Sequence, residues 1–225
     1  MSNDFCIIIP SRISSTRLEK KPLVDLNGKT LIQRVFNNAL EITPNTYVAT
    51  DSEEIKNNII NISSNILMTS DTHISGTDRI FEAAKILNIT DNTLIINLQG
   101  DEPFISKKAI GSLIKSFDDK SVEMASLMTK FKSFNEINNP NNVKVIIDNH
   151  SDALCFSRLP IPYGSKKIND YNRHVGVYAF LKNALIEFSR MERSNLEIIE
   201  NLEGLRIIEN SKKIRMINTN FHGIS

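Results

Sequence analysis

Cysteine is scarce in this chain: Cys6 and Cys155 are the only two in 225 residues and stand far apart. Neither a disulfide framework nor a zinc ribbon can be built from them, so a reducing cytoplasm is the expected compartment. Charge of either sign is not in excess. Lys+Arg 27 against Asp+Glu 26 leaves +1, which draws neither nucleic acid nor an anionic membrane, and any anion site must be local. Long apolar runs are missing as well. The run over residues 5–10 is far below the roughly 20 residues of a membrane span, and no basic segment precedes it as in a signal peptide. There is no G-x-G-x-x-G, and Gly28-Lys29-Thr30 only imitates the end of a Walker A loop, because the position five residues before Gly28 is Leu23. No Ser/His/Asp or Cys/His nucleophile arrangement occurs, and His150 and His222 have no partner at useful spacing.

What is present is an ordinary globular composition, 40% hydrophobic and 24% charged, in a length that predicts one large domain without an obvious linker. Phe5-Cys6-Ile7-Ile8-Ile9 closes on Pro10 and reads as a strand buried on both faces. Helix is predicted over 30–40, 52–62, 78–87 and 106–117, and strand over 46–50, 65–68 and 93–98. Repeated βα units predict an α/β fold with a mostly parallel sheet covered on both faces and ligands at the carboxyl ends of the strands. The second half is less regular. Strands over 143–147, 154–156, 175–180 and 213–217 and helices over 181–188 and 196–204 predict a mixed extension of the sheet.

Two loops carry chemistry. Pro10-Ser11-Arg12-Ile13-Ser14-Ser15-Thr16-Arg17-Leu18-Glu19-Lys20-Lys21-Pro22 follows the first strand and concentrates four cations and several hydroxyls. Forked Arg donors and compact Lys charges suit a phosphate chain, although a merely solvated basic loop is about as frequent on composition alone. Leu98-Gln99-Gly100-Asp101-Glu102-Pro103 follows another buried strand, where a carboxylate can hold Mg²⁺ against a triphosphate or simply end a Gly-Asp turn. Together they describe metal-assisted chemistry on a polyphosphate. Thr77, within His73-Ile74-Ser75-Gly76-Thr77-Asp78-Arg79, is the expected helix cap. Asp25-Leu26-Asn27-Gly28-Lys29 is an expected turn with Gly28 at positive φ.

These residues, with Ala49-Thr50-Asp51, Asn142-Val143-Lys144-Val145, Phe156-Ser157-Arg158, Ile161-Pro162, Arg173-His174-Val175-Gly176-Val177-Tyr178, Leu196-Glu197, Leu202-Glu203 and Leu205-Arg206, resemble in order the cytidylyltransferases that activate 3-deoxy-manno-octulosonate (Kdo) for the lipopolysaccharide inner core. The resemblance implies a three-layer nucleotidyltransferase fold with a mixed, mostly parallel central sheet, a sugar-binding and dimerisation portion around 130–210, and a homodimer. It implies that the anomeric hydroxyl attacks the α-phosphorus of CTP and releases pyrophosphate, with Mg²⁺ as cofactor. Catalysis falls by resemblance to Lys21, Arg12 and Asp101, and the metal to Asp101. Nucleotide binding falls to Arg12, Ser15, Arg17, Lys21, Ser75, Gly76, Thr77, Arg79 and Gln99. The sugar falls to Arg158, His174, Tyr178 and Glu203.

Three departures from the family pattern are visible. Ile161-Pro162-Tyr163-Gly164-Ser165 lacks an Arg common in the sugar loop, and Gly204 stands after Glu203 where many members have Gln. Both leave the ulosonic acid open among Kdo, its 8-amino analogue and an N-acylneuraminate-type sugar. The sequence ends at Gly223-Ile224-Ser225, where the family continues through Gly-Val-Asp-Thr, whose Asp is a second metal ligand. The expectation is weak Mg²⁺ binding, because Asp101 alone leaves the site under-charged, and a weakly catalytic CTP-binding relative is the alternative reading.

Overall fold

The computed structural model describes residues 4–13, 20–91 and 93–220. They gather into two compact units: the residues up to Ile105 with Leu181–Ser189 form the first, and Ser106–Phe180 with the residues from Arg190 onward form the second. In the first unit β1 (Phe5–Ser11) pairs in parallel with β2 (Thr46–Thr50) and with β4 (Leu94–Leu98), and β2 pairs in parallel with β3 (Ile66–Met68). Ile7, Ile8 and Ile9 are fully buried although they alternate between faces, so both sides of β1 are covered, as its continuous apolar run requires. Each such side chain contributes roughly 1.5–3 kcal/mol on leaving water.

The helices of this unit begin where hydroxyl side chains can take up free backbone N–H groups. Thr30 and Gln33 form a capping box at α1 (Leu31–Leu40), and Ser52 caps α2 (Glu53–Ile59). At α3 (Gly76–Ile86) the cap is Ser75, whose Oγ accepts the Asp78 N–H, and not Thr77. Ser75 is extended at φ −133°, ψ 161°, whereas Thr77 already lies inside the helix. The expected turn is present: Gly28 has φ 77° and its N–H donates to Asp25 Oδ1.

The second unit contains α4 (Lys107–Lys115), β5 (Met124–Lys130), α5 (Phe134–Asn138), β6 (Lys144–Ile147), β7 (Ala153–Ser157) and β8 (Asn172–Leu181). After β8 the chain forms α6 (Lys182–Arg190), most of which belongs to the first unit. It then adds α7 (Asn195–Glu200), α8 (Glu203–Glu209) and β9 (Arg215–Asn218) to the second. β5 is antiparallel to β8 and parallel to β9, and β6 is antiparallel to β7 and β8. The strand pairing is therefore mixed and mostly parallel, as the sequence predicts.

Three elements differ from expectation, the first being the short helix α5, which is not predicted. β5 is not predicted, because Met124-Ala125-Ser126-Leu127-Met128 carries helix-favouring residues, yet it lies between β8 and β9 and tertiary pairing overrides propensity. The helix expected over 196–204 is two helices. Asn201 takes the left-handed conformation (φ 53°, ψ 53°) and Leu202 is extended, so Glu203 starts a new helix. Among the described residues no helix is long and apolar enough to cross a membrane.

A buried ion pair joins α7 to α8: Arg206 Nη2 lies 2.6 Å from Glu197 Oε1 and Arg206 Nε 2.8 Å from Glu197 Oε2. Both side chains are almost wholly buried. Arg206→Met should cost roughly 3–5 kcal/mol, because it leaves the buried Glu197 charge only the Arg193 guanidinium at 3.6 Å and the Ser194 N–H at 3.3 Å. Urea unfolding checks this, and an unchanged midpoint would refute it.

Candidate active site

Parallel pairing of Ile8 with Asn97 brings the loops that follow β1 and β4 to the same end of the sheet. Arg12 is exposed just beyond β1. Ser15 and Arg17 lie outside the described residues. The chain re-enters through Lys20 in a left-handed conformation (φ 51°, ψ 33°), and a single 3-10 turn, Lys21–Leu23, follows with Pro22 in its first turn. Lys20 Nζ donates to both carboxylate oxygens of Glu54 at 3.0 and 2.9 Å. Lys21 Nζ reaches Asp101 Oδ2 at 2.6 Å, and both side chains stay about half exposed. The basic loop thus places one cation on α2 and one on the carboxylate after β4.

The start of α3 and the end of β4 are wired together. Asn97, fully buried, donates from Nδ2 to Thr77 Oγ1 (3.3 Å) and accepts from Gln99 Nε2 (3.1 Å). Gly76 opens α3 beside its cap Ser75. Arg79 turns inward. It is buried, donating to Asp51 Oδ2 at 2.7 Å and to Thr69 Oγ1 at 2.5 Å, so in this arrangement it ties α3 to the loop after β2.

In the second unit His174, Tyr178 and Glu203 come together around Phe156. The His174 ring is edge-on to Phe156 at 4.9 Å and to Tyr178 at 5.3 Å. Burial pushes the His174 pKa down to about 3. Burial, and then the Glu203 charge, push the Tyr178 phenol well above its ordinary value. His174 is therefore a neutral imidazole, and Tyr178 keeps its proton. A Cβ on Gly204 would stand 2.8 Å from the Phe156 ring and 3.1 Å from Tyr178 Oη, so the absence of a side chain there lets the aromatic group close up.

Arg158 faces elsewhere. Its Nε donates to Glu200 O (2.7 Å), Nη1 to Pro140 O (3.0 Å) and Nη2 to Asn201 O (3.3 Å), a cation set on the carbonyl end of α7. Its own carbonyl accepts from the buried Lys144 Nζ at 2.5 Å. Burial, followed by the Arg158 charge, lowers the Lys144 pKa to about 8.

Comparison with known proteins identifies the family of the chain. The family model for cytidylyltransferases matches residues 6–214. The 3-deoxy-manno-octulosonate cytidylyltransferase of Fusobacterium nucleatum is 44% identical over 96% of this chain and 88% of its own. The chain belongs to the 3-deoxy-manno-octulosonate cytidylyltransferase family. An 8-amino-3,8-dideoxy-manno-octulosonate cytidylyltransferase of Shewanella pealeana, 39% identical over 93% of this chain and 88% of its own, lies close as well. Among solved structures, a CMP:2-keto-3-deoxy-manno-octonic acid synthetase complexed with CTP aligns at TM-score 0.87 and 35% identity, over 98% of this chain and 92% of that one.

Within this cytidylyltransferase several site-forming residues escape sequence reading. Asn97 was visible as the one polar residue in Leu94-Ile95-Ile96-Asn97-Leu98, a signal that a buried amide has partners. Glu200 accepts from Ser157 Oγ (3.2 Å) and the Arg158 N–H (3.0 Å) but looks like any surface glutamate in sequence. Ser126 lies on the unpredicted strand and meets His174 Nε2 at 2.8 Å.

The neutral state of His174 has a measurable sign. Its pKa falls from 6.5 unfolded to about 3 folded, so between these values the unfolded chain binds the extra proton. The stability is complete above pH 6.5 and is lost as pH drops toward 3. The urea midpoint of the wild type should therefore fall more steeply from pH 7 to pH 5 than that of His174→Gln. Equal slopes would show that His174 is not buried neutral.

Proposed function

We propose that this protein transfers CMP from CTP to the anomeric hydroxyl of 3-deoxy-manno-octulosonate for lipopolysaccharide inner-core synthesis in the cytoplasm. The sugar oxygen forms a bond to the α-phosphorus, the bond from that phosphorus to the β-phosphate oxygen breaks, and pyrophosphate leaves. The hydroxyl proton passes to solvent. The observation that carries the reading is the 2.6 Å contact of Lys21 with Asp101 at the carboxyl end of parallel strands. It sets a half-exposed cation for phosphate oxygens beside a carboxylate for a divalent ion.

Mg²⁺ fits the donors present. Asp101 is a single half-exposed hard oxygen donor, the fewest protein carboxylates magnesium takes, so the ion would be held together with phosphate oxygens and water and only weakly without them. Among the described residues no group of three or more His, Cys, Asp or Glu could hold a metal. Bound there, the ion supplies charge neutralisation for the triphosphate. Lys21 moves from Asp101 to the α-phosphate, where negative charge develops, and Arg12 holds the phosphate chain. Ser75, Gly76, Thr77, Arg79 and Gln99 form the nucleotide side, and Ser15 and Arg17 complete it. His174, Tyr178 and Glu203 form the sugar side, with Arg158 acting on the carboxylate once it leaves the carbonyls of α7.

A second reading, the 8-amino analogue of the same sugar, is favoured by Gly204 against Phe156 and Tyr178 and by the relationship to the Shewanella protein. A homodimer is supported by exposed apolar residues on β7 and α7, Leu154, Ile198 and Ile199, which are 55%, 55% and 69% exposed.

The test is Mg²⁺-dependent pyrophosphate release from CTP with Kdo, 8-amino-Kdo and N-acetylneuraminate in parallel. Release with Kdo is expected. Release only with another sugar would move the substrate, and silence with all three despite CTP binding would overturn the reading. Lys21→Ala should lower kcat by about 10²–10³-fold, the usual effect of removing one charge-stabilising donor, while CTP binding measured by calorimetry persists. A wild-type kcat would remove Lys21 from the chemistry.

A further inference from the structure

The contact between β5 and β8 is irregular where the sugar-side residues lie. Ser126 pairs with Tyr178, but the next residue, Leu127, pairs with Val175, so Gly176 and Val177 are extra on β8. Such a bulge takes carbonyls out of the ladder and re-aims side chains. Ser126, fully buried, fills the gap. Its Oγ is 2.9 Å from Val177 O, 3.4 Å from Val175 O and 2.8 Å from His174 Nε2.

Proton bookkeeping at this hydroxyl leaves one arrangement. Ser126 has a single O–H, and the carbonyls beside it can only accept. Given to Val177 O, the proton bonds a carbonyl within the bulge. Given to His174, it would leave two oxygens 2.9 Å apart with no hydrogen between them. The Ser126 proton therefore goes to the backbone, and Ser126 Oγ must accept from His174. The neutral imidazole then carries its hydrogen on Nε2, and Nδ1 is an acceptor. Nδ1 has no hydrogen-bond partner among the described residues, and His174 is only partly buried.

We propose that Ser126 is a positioning residue that holds His174 as the Nε2–H tautomer, so that Nδ1 accepts a hydrogen bond from a hydroxyl of the acceptor sugar. The inference rests on the proposed function for its ligand, a polyhydroxylated ulosonic acid, but the tautomer itself stands on the free protein. The depressed His174 pKa agrees with it, since an imidazole protonated on both nitrogens could not accept.

The experiment reads the tautomer and the kinetics separately. ¹⁵N NMR of histidine-labelled full chain at pH 7 should show His174 with a protonated Nε2 and a bare Nδ1. In Ser126→Ala that preference should weaken and KM for the sugar should rise about tenfold, with kcat and CTP affinity within twofold of wild type. Ser126→Thr, which keeps the hydroxyl, should restore both, and this variant also separates the hydroxyl from any loss of folding in Ser126→Ala. A bare Nε2 in the wild type, or a tautomer indifferent to Ser126→Ala, would overturn the assignment. Turnover with a sugar KM unmoved by Ser126→Ala would overturn the acceptor role alone. If no ulosonic acid turns over, the proposed function and the acceptor role fall together, while the tautomer result stands by itself.

Discussion

The parallel register of β1 against β4 is the constraint on which the meeting of Lys21 and Asp101 depends. Pairing of Phe5 with Leu94 through Ile8 with Asn97 means that both strands run out at the same end, one into the basic loop and the other into Gly100-Asp101. An antiparallel pairing would have sent Lys21 and Asp101 to opposite edges. Because β1 is buried on both faces, a slip would carry apolar side chains out of closely packed layers, and the register is held by the core. The 2.6 Å contact of Lys21 and Asp101 is a consequence of that packing and has little strength of its own, since exposed pairs contribute at most about 1 kcal/mol. A pair this weak leaves both groups free to take other partners.

The second unit solves a different problem, that of keeping polar groups in defined states away from water. Here the strong interactions are buried: Glu197 with Arg206, Lys144 with the carbonyls of Asn139 and Arg158, and Ser126 with Val177 and His174. Each would be costly to leave half satisfied. The outcome is a rigid surround for His174 and Tyr178, whose protonation states follow from burial. Arg158 differs in being held by three backbone carbonyls, contacts that a carboxylate can replace with stronger, charge-assisted ones.

Legibility in the sequence varies with the range of the interaction that decides each feature. The βα alternation of the first half is local periodicity, and all four strands and four helices predicted there appear where the apolar pattern places them. The Thr30 and Ser52 caps are equally local. Ser75 in place of Thr77 as the cap of α3 turns on backbone angles at two neighbouring residues, which composition does not distinguish. β5 was invisible because its residues favour helix, and its state is set by β8 and β9, remote in sequence. The break at Asn201 shows the same limit on a smaller scale: one left-handed residue divides a continuous apolar pattern into two helices.

By itself the sequence determined the α/β class, the strand-end positions of the two chemical loops and, through ordered motifs, the cytidylyltransferase family. These follow from periodicity and from residue types that a chemistry requires, and both can be read along a chain. Only the tertiary structure decided that Lys21 meets Asp101, that Arg79 turns inward to Asp51, that Asn97 joins Thr77 to Gln99, and that a bulge gives Ser126 to His174. Those outcomes depend on hydrogen-bond partners brought together across many intervening residues, and a donor's choice among acceptors exists only once packing has placed them within about 3 Å of one another.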